Sequence, residues 1–318
     1  MYRPEIKVLD CTIRDGGLIN KHKFDMDLVR SVYQAVNASG VDYCELGYRL
    51  SKKIFSPDEF GKWKFCDEDD IKKAIHGIDK KTKLSTMVDV GRVHPEEVPD
   101  KRKSVVDMMR VATYVKDADK AVELAKRFHD KGYETTINVM AISTALLPDL
   151  QEALDAIKEA PVKAVYIVDS FGALYSEQVH FLVKQYAEYL KPKGIEVGAH
   201  FHNHQQLGFA NTIESIRKGA NYLDATIYGI GRAAGNCPLE LLLAFLKNPK
   251  FNLEPIIEAI ENKFLPLRQK IEWGYIIPYM ITGILNQHPR EAMALRASPD
   301  KDKFTAFYRR LVDDIEIT

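Results

Sequence analysis

Short apolar runs alternate with amphipathic segments along the first 250 residues of the chain. Runs of four to eight apolar residues between turn signals are typical of buried strands, and apolar positions spaced three and four apart are typical of helices. The runs predict strands over residues 6–13, 41–46, 84–90, 105–111, 134–140, 164–168, 195–201 and 222–227. The amphipathic segments predict helices over residues 25–38, 68–78, 118–131, 145–159, 176–190, 207–218 and 239–246.

Eight strands with near-regular helical returns predict an α/β fold, a (β/α)8 or TIM barrel. A doubly wound sheet is the alternative, but no Gly-rich dinucleotide fingerprint follows the first strand. Gly40, Gly132 and Gly219 follow helices, at the joints that lead into strands. Polar candidates lie at the opposite joints, where strands end, and barrel enzymes hold their chemistry on that face.

The alternation stops at about residue 251, and helical patterns follow over residues 254–270, 274–285 and 303–315. We therefore expect two parts, a catalytic TIM-barrel domain over residues 1–250 and a helical C-terminal extension over residues 251–318. The extension is too short for an independent catalytic domain. It is expected to pack on the barrel, to form a lid or to make a contact between subunits.

Composition excludes several classes of partner. Lys plus Arg and Asp plus Glu number 45 each, so no net field draws the chain to nucleic acid or to an anionic membrane. The four cysteines form no CxxC pair and indicate reduced thiols. The N-terminus does not resemble a signal peptide, and no apolar run reaches the ~18 residues of a membrane span. We expect a cytoplasmic protein.

Two histidines two residues apart are the strongest chemical signal. His200 and His202 end the predicted strand 195–201, where alternate residues face the same side. Asp15 follows the first strand and Asn236 the eighth, and these strands pair when a barrel closes, which places the seventh strand near them. Two imidazoles and a carboxylate suit Mn²⁺, Zn²⁺ or Fe²⁺. A non-haem iron oxygenase uses the same ligand types, but the barrel pattern argues against it.

Three segments together resemble one known family. They are residues 9–17 (Leu-Asp-Cys-Thr-Ile-Arg-Asp-Gly-Gly), 200–203 (His-Phe-His-Asn) and 229–236 (Gly-Ile-Gly-Arg-Ala-Ala-Gly-Asn). Over residues 5–248 the chain is similar to the DRE-TIM metallolyases, the pyruvate-carboxyltransferase-like domain, and most to their 4-hydroxy-2-oxovalerate aldolase-like branch. The resemblance implies a metal-dependent barrel that makes or breaks a carbon–carbon bond beside a carbonyl through a metal-bound enolate.

The resemblance also implies roles for individual residues. Asp15, His200 and His202 would bind the metal, with Mn²⁺ expected first and Mg²⁺, Zn²⁺ or Co²⁺ as alternatives. Asn236 would be a further ligand or would contact the ligands. Arg14 would bind the enolate and keto oxygens of the substrate. The expected partners are a small 2-oxo acid and an aldehyde, and the expected assembly is a homo-oligomer.

One position departs from the aldolase branch, in which a histidine three residues after the aspartate serves as the base. Leu18 occupies that position here, and Gly17-Leu18 also departs from the Glu-Gln of the synthase branch. We predict His22 as a substitute base, an exposed histidine being the alternative, and Tyr279 as a catalytic residue of the C-terminal helices. Other conceivable proton donors or acceptors are Tyr48, Tyr275 and His288.

Four more polar residues lie in or after predicted strands. Glu45 is predicted to be a catalytic acid near the metal, and Asp169, Ser170 and Arg110 are predicted to bind substrate. A buried polar network inside the barrel is the alternative for each. A Schiff-base aldolase needs a desolvated lysine in the barrel. The lysine of the sixth strand, Lys163, lies at its opposite end, which leaves the metal as the electron sink.

The sequence thus predicts a carbon–carbon lyase, a class II, metal-dependent aldolase that acts on a hydroxy-2-oxo acid through a metal-bound pyruvate-type enolate. Two alternatives remain at this point. One is a Claisen-type acyltransferase that uses acetyl-CoA, like the isopropylmalate and homocitrate synthases. The other is a partner-dependent, non-catalytic barrel in which Leu18 marks a lost base.

Overall fold

A computed structural model describes residues 2–316 and shows a closed barrel of eight parallel strands in chain order. The prediction of a TIM barrel is confirmed. Strand β1 pairs with β8 from Lys7 opposite Tyr222 to Asp10 opposite Ala225, and this pairing closes the barrel. The strands are β1 (Lys7–Asp10), β2 (Tyr43–Tyr48), β3 (Lys83–Asp89), β4 (Met108–Thr113), β5 (Glu134–Val139), β6 (Ala164–Asp169), β7 (Glu196–Phe201) and β8 (Tyr222–Ala225).

Helices alternate with the strands and cover the outside of the barrel. They are α1 (Thr12–Gly16), α2 (Met26–Ala38), α3 (Glu68–Ile75), α4 (Ala118–Asp130), α5 (Leu147–Ile157), α6 (Ser176–Leu190), α7 (Gly208–Lys218) and α8 (Leu239–Leu246). Asp25 caps α2 by accepting a hydrogen bond from the backbone N–H of Leu28 at 2.8 Å. The main apolar core lies between this helical layer and the outer faces of the strands.

The first predicted strand, residues 6–13, is too long. Strand β1 ends at Asp10, and the chain turns at once into the short helix α1. The apolar side chains of Cys11 and Ile13 are buried, so their pattern resembled a continued strand. The turn is held by Thr12, whose hydroxyl accepts the backbone N–H of Ile227 at 2.8 Å. Helix α1 thereby carries Asp15 to the mouth of the barrel.

The C-terminal helices pack on the barrel through the loop between β8 and α8. Ala233 and Ala234 of this loop are buried against Tyr279, Phe307 and Leu311. The predicted helix 254–270 is interrupted by a wider turn at Ile260–Phe264, and a helix at Arg290–Arg296 was not predicted. The elements are α9 (Glu254–Ala259), α10 (Leu265–Arg268), α11 (Ile277–Ile284), α12 (Arg290–Arg296) and α13 (Phe304–Glu316).

Two compositional expectations concern cysteines and membranes. All four cysteines are free and buried, in agreement with the absence of a CxxC pair. Within residues 2–316, no helix combines the length and the apolar character needed to cross a bilayer.

Candidate metal centre

Strand β7 and helix α1 bring two histidines and a carboxylate together at the carboxyl ends of the strands. His200 lies in β7 and His202 just beyond it, and Asp15 lies in α1. One potential ligand atom from each of these residues lies within 4.8 Å of the others, and all three side chains are buried. The Oδ2 atom of Asp15 is 3.4 Å from Nε2 of His202. The barrel therefore places residues from opposite ends of the chain in one cluster.

Hydrogen bonds fix the orientation of both imidazoles. Nδ1 of His202 donates to the backbone carbonyl of Asp169 at 3.0 Å, and a carbonyl oxygen can only accept. Nδ1 of His200 lies 3.0 Å from a carboxylate oxygen of Asp224, in the arrangement that often orients metal-binding histidines. Both Nε2 atoms are buried without a hydrogen-bond partner among the described residues. Each imidazole thus presents a free lone pair to the cluster.

The charge on Asp15 makes this cluster unfavourable without a cation. Burial alone would raise the pKa of Asp15, but the charge of the adjacent Arg14 guanidinium opposes that effect, and the pKa of Asp15 lies well below its usual range. Burial also lowers the pKa of His202, which favours the neutral ring. A carboxylate oxygen and an imidazole lone pair, 3.4 Å apart and with no proton between them, repel each other. A divalent cation would remove this repulsion, so the residues fit the metal that the family implies.

Asn236 lies in the loop between β8 and α8 and completes the cluster. Its Nδ2 donates to Asp15 at 2.5 Å and to the carbonyl of Ile230 at 3.1 Å. Its Oδ1 is buried and has no partner in the described part of the chain. Asn236 therefore fixes one carboxylate oxygen of Asp15 and leaves an amide oxygen, another possible metal ligand, free.

A buried ion-pair network lies beneath the cluster. Arg14 donates to Asp15 and, through Nε, to Glu45 at 2.7 Å. Arg110 donates to the same oxygen of Glu45 at 2.9 Å and to Asp224 at 2.7 Å. Glu45 and Arg110 are fully buried and do not line the cavity described below. They hold Arg14 and, through Asp224, His200, so the structure shows the buried-network alternative for both.

Asp224 is a central residue that sequence reasoning missed. It lies in β8 between two apolar residues and contacts both His200 and Arg110. A carboxylate flanked by Leu223 and Ala225 within a barrel strand was the available signal. Such a residue must face the barrel interior and must find a buried donor there.

The two predicted acid–base residues do not line the cavity. The alternative of an exposed His22 is wrong, because its side chain is 1% exposed and packs edge-on against the Tyr48 ring. Burial, aided by the charges of Lys64 and Arg14, lowers the pKa of His22 to about 3. Tyr279 is buried in the C-terminal apolar cluster, edge-on to His204.

Asp169, the last residue of β6, and Ser170, which follows it, are predicted to bind substrate, and both side chains accept hydrogen bonds from backbone N–H groups. The carboxylate of Asp169 accepts the backbone N–H groups of Ala173 and Leu174 at 3.0 and 3.1 Å. Burial raises the pKa of Asp169 to about 6. Ser170 lines the cavity, but its hydroxyl accepts the backbone N–H of Ala141 at 2.8 Å. Asp169 therefore shapes the loop, and only Ser170 adjoins the cavity.

A cavity of about 350 Å³ opens above the cluster at the carboxyl ends of the strands. Leu18, Tyr48 and His288 are among the residues that line it. Its wall is basic, with six cationic side chains against three carboxylates, a surplus of three in a chain whose formal net charge is zero. The cations are Arg14, Lys64, Arg92, Lys116, Arg232 and Arg290, and the carboxylates are Asp15, Asp89 and Asp117. An anionic ligand is therefore favoured.

Sequence comparison places this geometry in a known family. A model of the HMGL-like family matches residues 5–261. The chain belongs to the HMGL-like family. The resemblance to the DRE-TIM metallolyases is thereby confirmed, as is the prediction of a lyase-type enzyme.

Two curated relatives of this HMGL-like chain are similar over most of its length. A 4-hydroxy-2-oxovalerate aldolase of Bacillus thuringiensis is 27% identical over 283 residues, which are 86% of this chain and 80% of that protein. An oxaloacetate decarboxylase of Mycobacterium tuberculosis is 29% identical over 264 residues, which are 81% of this chain and 76% of that protein.

Solved structures give the same fold. The N-terminal domain of a candidate aldolase from Bacteroides vulgatus has a TM-score of 0.79 and 31% identity, and the match covers 95% of this chain and 100% of that one. An HMG-CoA lyase from Brucella melitensis has a TM-score of 0.66 at 14% identity, over 83% of this chain and 99% of that one. The second likeness concerns the fold alone.

Proposed function

We propose that this HMGL-like protein is a divalent-metal-dependent aldolase that cleaves or forms a carbon–carbon bond of a hydroxy-2-oxo acid. One observation carries the proposal: the ionised carboxylate of Asp15 and the lone pairs of His200 and His202 meet beneath a basic cavity. We assign these three residues as metal ligands and Asn236 as a further ligand or a partner of Asp15. Mn²⁺ is the proposed metal, because nitrogen and carboxylate donors suit it.

The metal and Arg14 would both stabilise the negative charge that develops on the substrate oxygens. The bound cation would act as a Lewis acid on the oxygens of the 2-oxo acid. Arg14 lines the cavity, and its guanidinium is held by Asp15 and Glu45, so it requires little reorganisation as negative charge develops on the keto oxygen. Arg110 is a positioning residue, since it holds Glu45 and Asp224 in place.

Decarboxylation of a 2-oxo acid is a second candidate, favoured by Leu18. An aldol cleavage needs a base for the hydroxyl proton, but Leu18 lines the cavity where the aldolase branch has its histidine. When the 2-oxo acid carries a carboxylate β to its keto group, as oxaloacetate does, cleavage of the bond to that carboxylate releases CO₂ and leaves the same type of enolate without removal of a proton. A relative named oxaloacetate decarboxylase is consistent with this chemistry. We extend the proposal to a cytoplasmic, homo-oligomeric enzyme; the four free thiols support a reducing compartment.

Substitution of the ligands tests the metal site. Asp15→Ala and His202→Ala should each lower the deuterium exchange of the pyruvate methyl group by about 1,000-fold, because the stabilisation of an enolate is lost. Both should also bind Mn²⁺ more weakly in a direct titration. His129→Ala, an exposed histidine of α4, is the matched control and should behave as wild type. Full exchange activity after exhaustive chelation would refute the metal mechanism.

Product analysis separates the remaining reactions. Mn²⁺-loaded protein is incubated with hydroxy-2-oxo acids, with oxaloacetate, or with acetyl-CoA and a 2-oxo acid. We expect release of an aldehyde in the first assay, and release of CO₂ in the second would instead assign a decarboxylase. Release of a free thiol in the third would indicate the Claisen-type acyltransferase, and unchanged substrate in all three would favour a non-catalytic barrel.

A further inference from the structure

Arg232 is a cation of the cavity wall without a carboxylate partner in the part of the chain that the structure describes. It lies in the loop between β8 and α8, next to the proposed metal centre, and its side chain lines the cavity. Within the described residues, its side chain donates one hydrogen bond, to the backbone carbonyl of Ser170 at a long 3.5 Å. Its Nε is buried and has no partner among the described residues. A guanidinium in this state lacks most of the hydrogen bonds that normally offset its burial.

The C-terminal extension brings a second unpaired guanidinium to the same wall. Arg290 begins α12, lines the cavity and has no carboxylate partner in the described part of the chain. His288 also lines the cavity, and burial together with the charges of Arg232 and Arg290 lowers its pKa to about 4. The pKa of Arg232 is lowered too, by burial first; the charge of Asp15 opposes this effect and that of Arg290 adds to it. Two like charges therefore lie near each other, and among the described residues neither has a carboxylate within ion-pair distance.

The other inner cations of the cavity already have partners. Arg14 is paired with Asp15 and Glu45, and Arg92 with Asp89 at 3.1 Å. Lys64 is packed among the rings of Tyr48, Phe55 and Phe60, with Nζ 4.8 to 5.2 Å from their centroids. Lys116 is exposed and has no carboxylate partner among the described residues, so Arg232 and Arg290 are the two guanidiniums of the cavity that lack one.

We propose that the substrate carries a second anionic group, a carboxylate or a phosphate distal to its 2-oxo acid, and that Arg232 and Arg290 bind this group. The inference rests on the proposed function, since it takes the 2-oxo acid end to lie at the proposed metal centre beside Arg14. The loop and the extension then act together as a specificity site. The distal anion supplies the counter-charge that both guanidiniums lack.

Matched pairs of non-reacting ligands test the subsite without relying on turnover. Binding of 2-oxoadipate and of 2-oxohexanoate, which differ only in the distal carboxylate, is measured calorimetrically with the Mn²⁺-loaded protein. We expect the dianion to bind about 10- to 100-fold more tightly. Arg232→Gln should reduce this ratio toward one, and Arg290→Gln should reduce it less because its side chain is more exposed. Arg127→Gln, an exposed arginine of α4, should leave the ratio unchanged.

Aldehyde pairs then distinguish the two kinds of anion. The rate of condensation of pyruvate with succinate semialdehyde is compared with the rate for butanal, which lacks the carboxylate. The rate for glyceraldehyde 3-phosphate is compared with the rate for glyceraldehyde, which lacks the phosphate. The pair with the larger difference in kcat/KM identifies the carboxylate or the phosphate as the preferred group. Arg232→Gln should remove that difference mainly through KM.

Three outcomes would overturn the inference. Equal affinity of wild type for 2-oxoadipate and 2-oxohexanoate is one, and an equal loss of affinity for both in Arg232→Gln is another, since Arg232 would then bind the 2-oxo acid end. The third is a collapse of the ratio in Lys64→Met and not in Arg232→Gln, which would move the subsite to the opposite wall. Failure of the proposed function would be detected separately, as an absence of deuterium exchange into pyruvate. The ratio of the affinities for 2-oxoadipate and 2-oxohexanoate would still test the subsite, because it does not depend on turnover.

Discussion

Asp10 shows how a single buried carboxylate makes the stability of this barrel depend on pH. It ends β1 and accepts hydrogen bonds from the hydroxyl of Thr12 and from the thiol of Cys44, and it has no cationic partner within the described residues. Burial raises its pKa from 3.8 to about 7, against the smaller opposing effect of those hydrogen bonds. The folded state therefore retains a proton on Asp10 that the unfolded chain releases above about pH 4.

The sign of the effect follows from that difference in bound protons. The stability that this proton confers is fully present below pH 3.8 and is lost as the pH rises toward about 7. Relative to Asp10→Asn, wild type should lose roughly 2 kcal/mol of unfolding free energy between pH 5 and pH 7. Urea unfolding of both proteins at several pH values measures this difference. Asp79→Asn, at an exposed side chain, is the control, and a difference independent of pH for Asp10→Asn would contradict the prediction.

The residues of the metal centre differ in how visible they are in the sequence. Asp15, His200 and His202 stand out because strand periodicity is a local pattern, and because eight predicted strands imply a closed barrel in which the first and eighth strands pair. The role of Asp224 could not be predicted in the same way, because its partners, His200 and Arg110, lie in other strands of the barrel. Arg232 is another such case, since its lack of a partner is a property of the folded surroundings.

At the scale of elements, the loop between β8 and α8 is wound tightly around the metal centre. Gly231 lies so close to the site that a Cβ there would be 2.1 Å from Nδ2 of Asn236 and 2.6 Å from Oδ2 of Asp15. Ala233 adopts a left-handed backbone conformation, with φ of 58°. The loop thus leaves no room for a larger residue at position 231 without displacing two groups of the site.

Gly231→Ala should weaken Mn²⁺ binding by about 10-fold or more, because the added methyl displaces Asn236 and Asp15. Titration of Mn²⁺ by calorimetry measures the change. Gly194→Ala is the control, since Gly194 has a φ of 73° but no atom within 4 Å of its Cβ position. It should cost about 1 kcal/mol of stability without changing metal affinity. Wild-type affinity in Gly231→Ala would show that the loop yields to the methyl group.

The elements themselves were predictable to different degrees. Helices α6 and α8 have the predicted bounds, because each combines a clear apolar period with defined ends. Helix α1 was not predicted, and its first two residues were included in the strand 6–13, since five residues are too few to show a helical period and all of them are buried. The helix is interrupted at Ile260–Phe264, just before Pro266, whose backbone nitrogen cannot donate a hydrogen bond.

At the scale of the whole molecule, the C-terminal extension has two parts with different packing. Its first part, residues 251–273, joins the apolar core of the barrel, whereas its later helices form a second apolar cluster around Tyr279, Ile281, Phe307 and Leu311. This second cluster includes Ala233 and Ala234, small residues that allow close approach of the later helices to the loop between β8 and α8. The proposed metal ligands all lie in the barrel, whereas Arg290 of the proposed anion subsite lies in the extension. Loosening the later helices of the extension should therefore weaken binding of the distal anion more than binding of the metal.

Phe307→Ala tests this separation, because it removes a buried ring from the cluster of the extension alone. A Phe-to-Ala change in a core costs about 3 kcal/mol or more. Amide hydrogen exchange over residues 277–311 should therefore accelerate by roughly 100-fold, while exchange in the barrel strands and Mn²⁺ affinity stay near wild type. Phe128→Ala, which removes a ring from the barrel core, should instead accelerate exchange in the strands. If Phe307→Ala accelerated both regions equally, the barrel and the extension would form one cooperative unit, and the extension would be required for the fold as well as for the cavity wall.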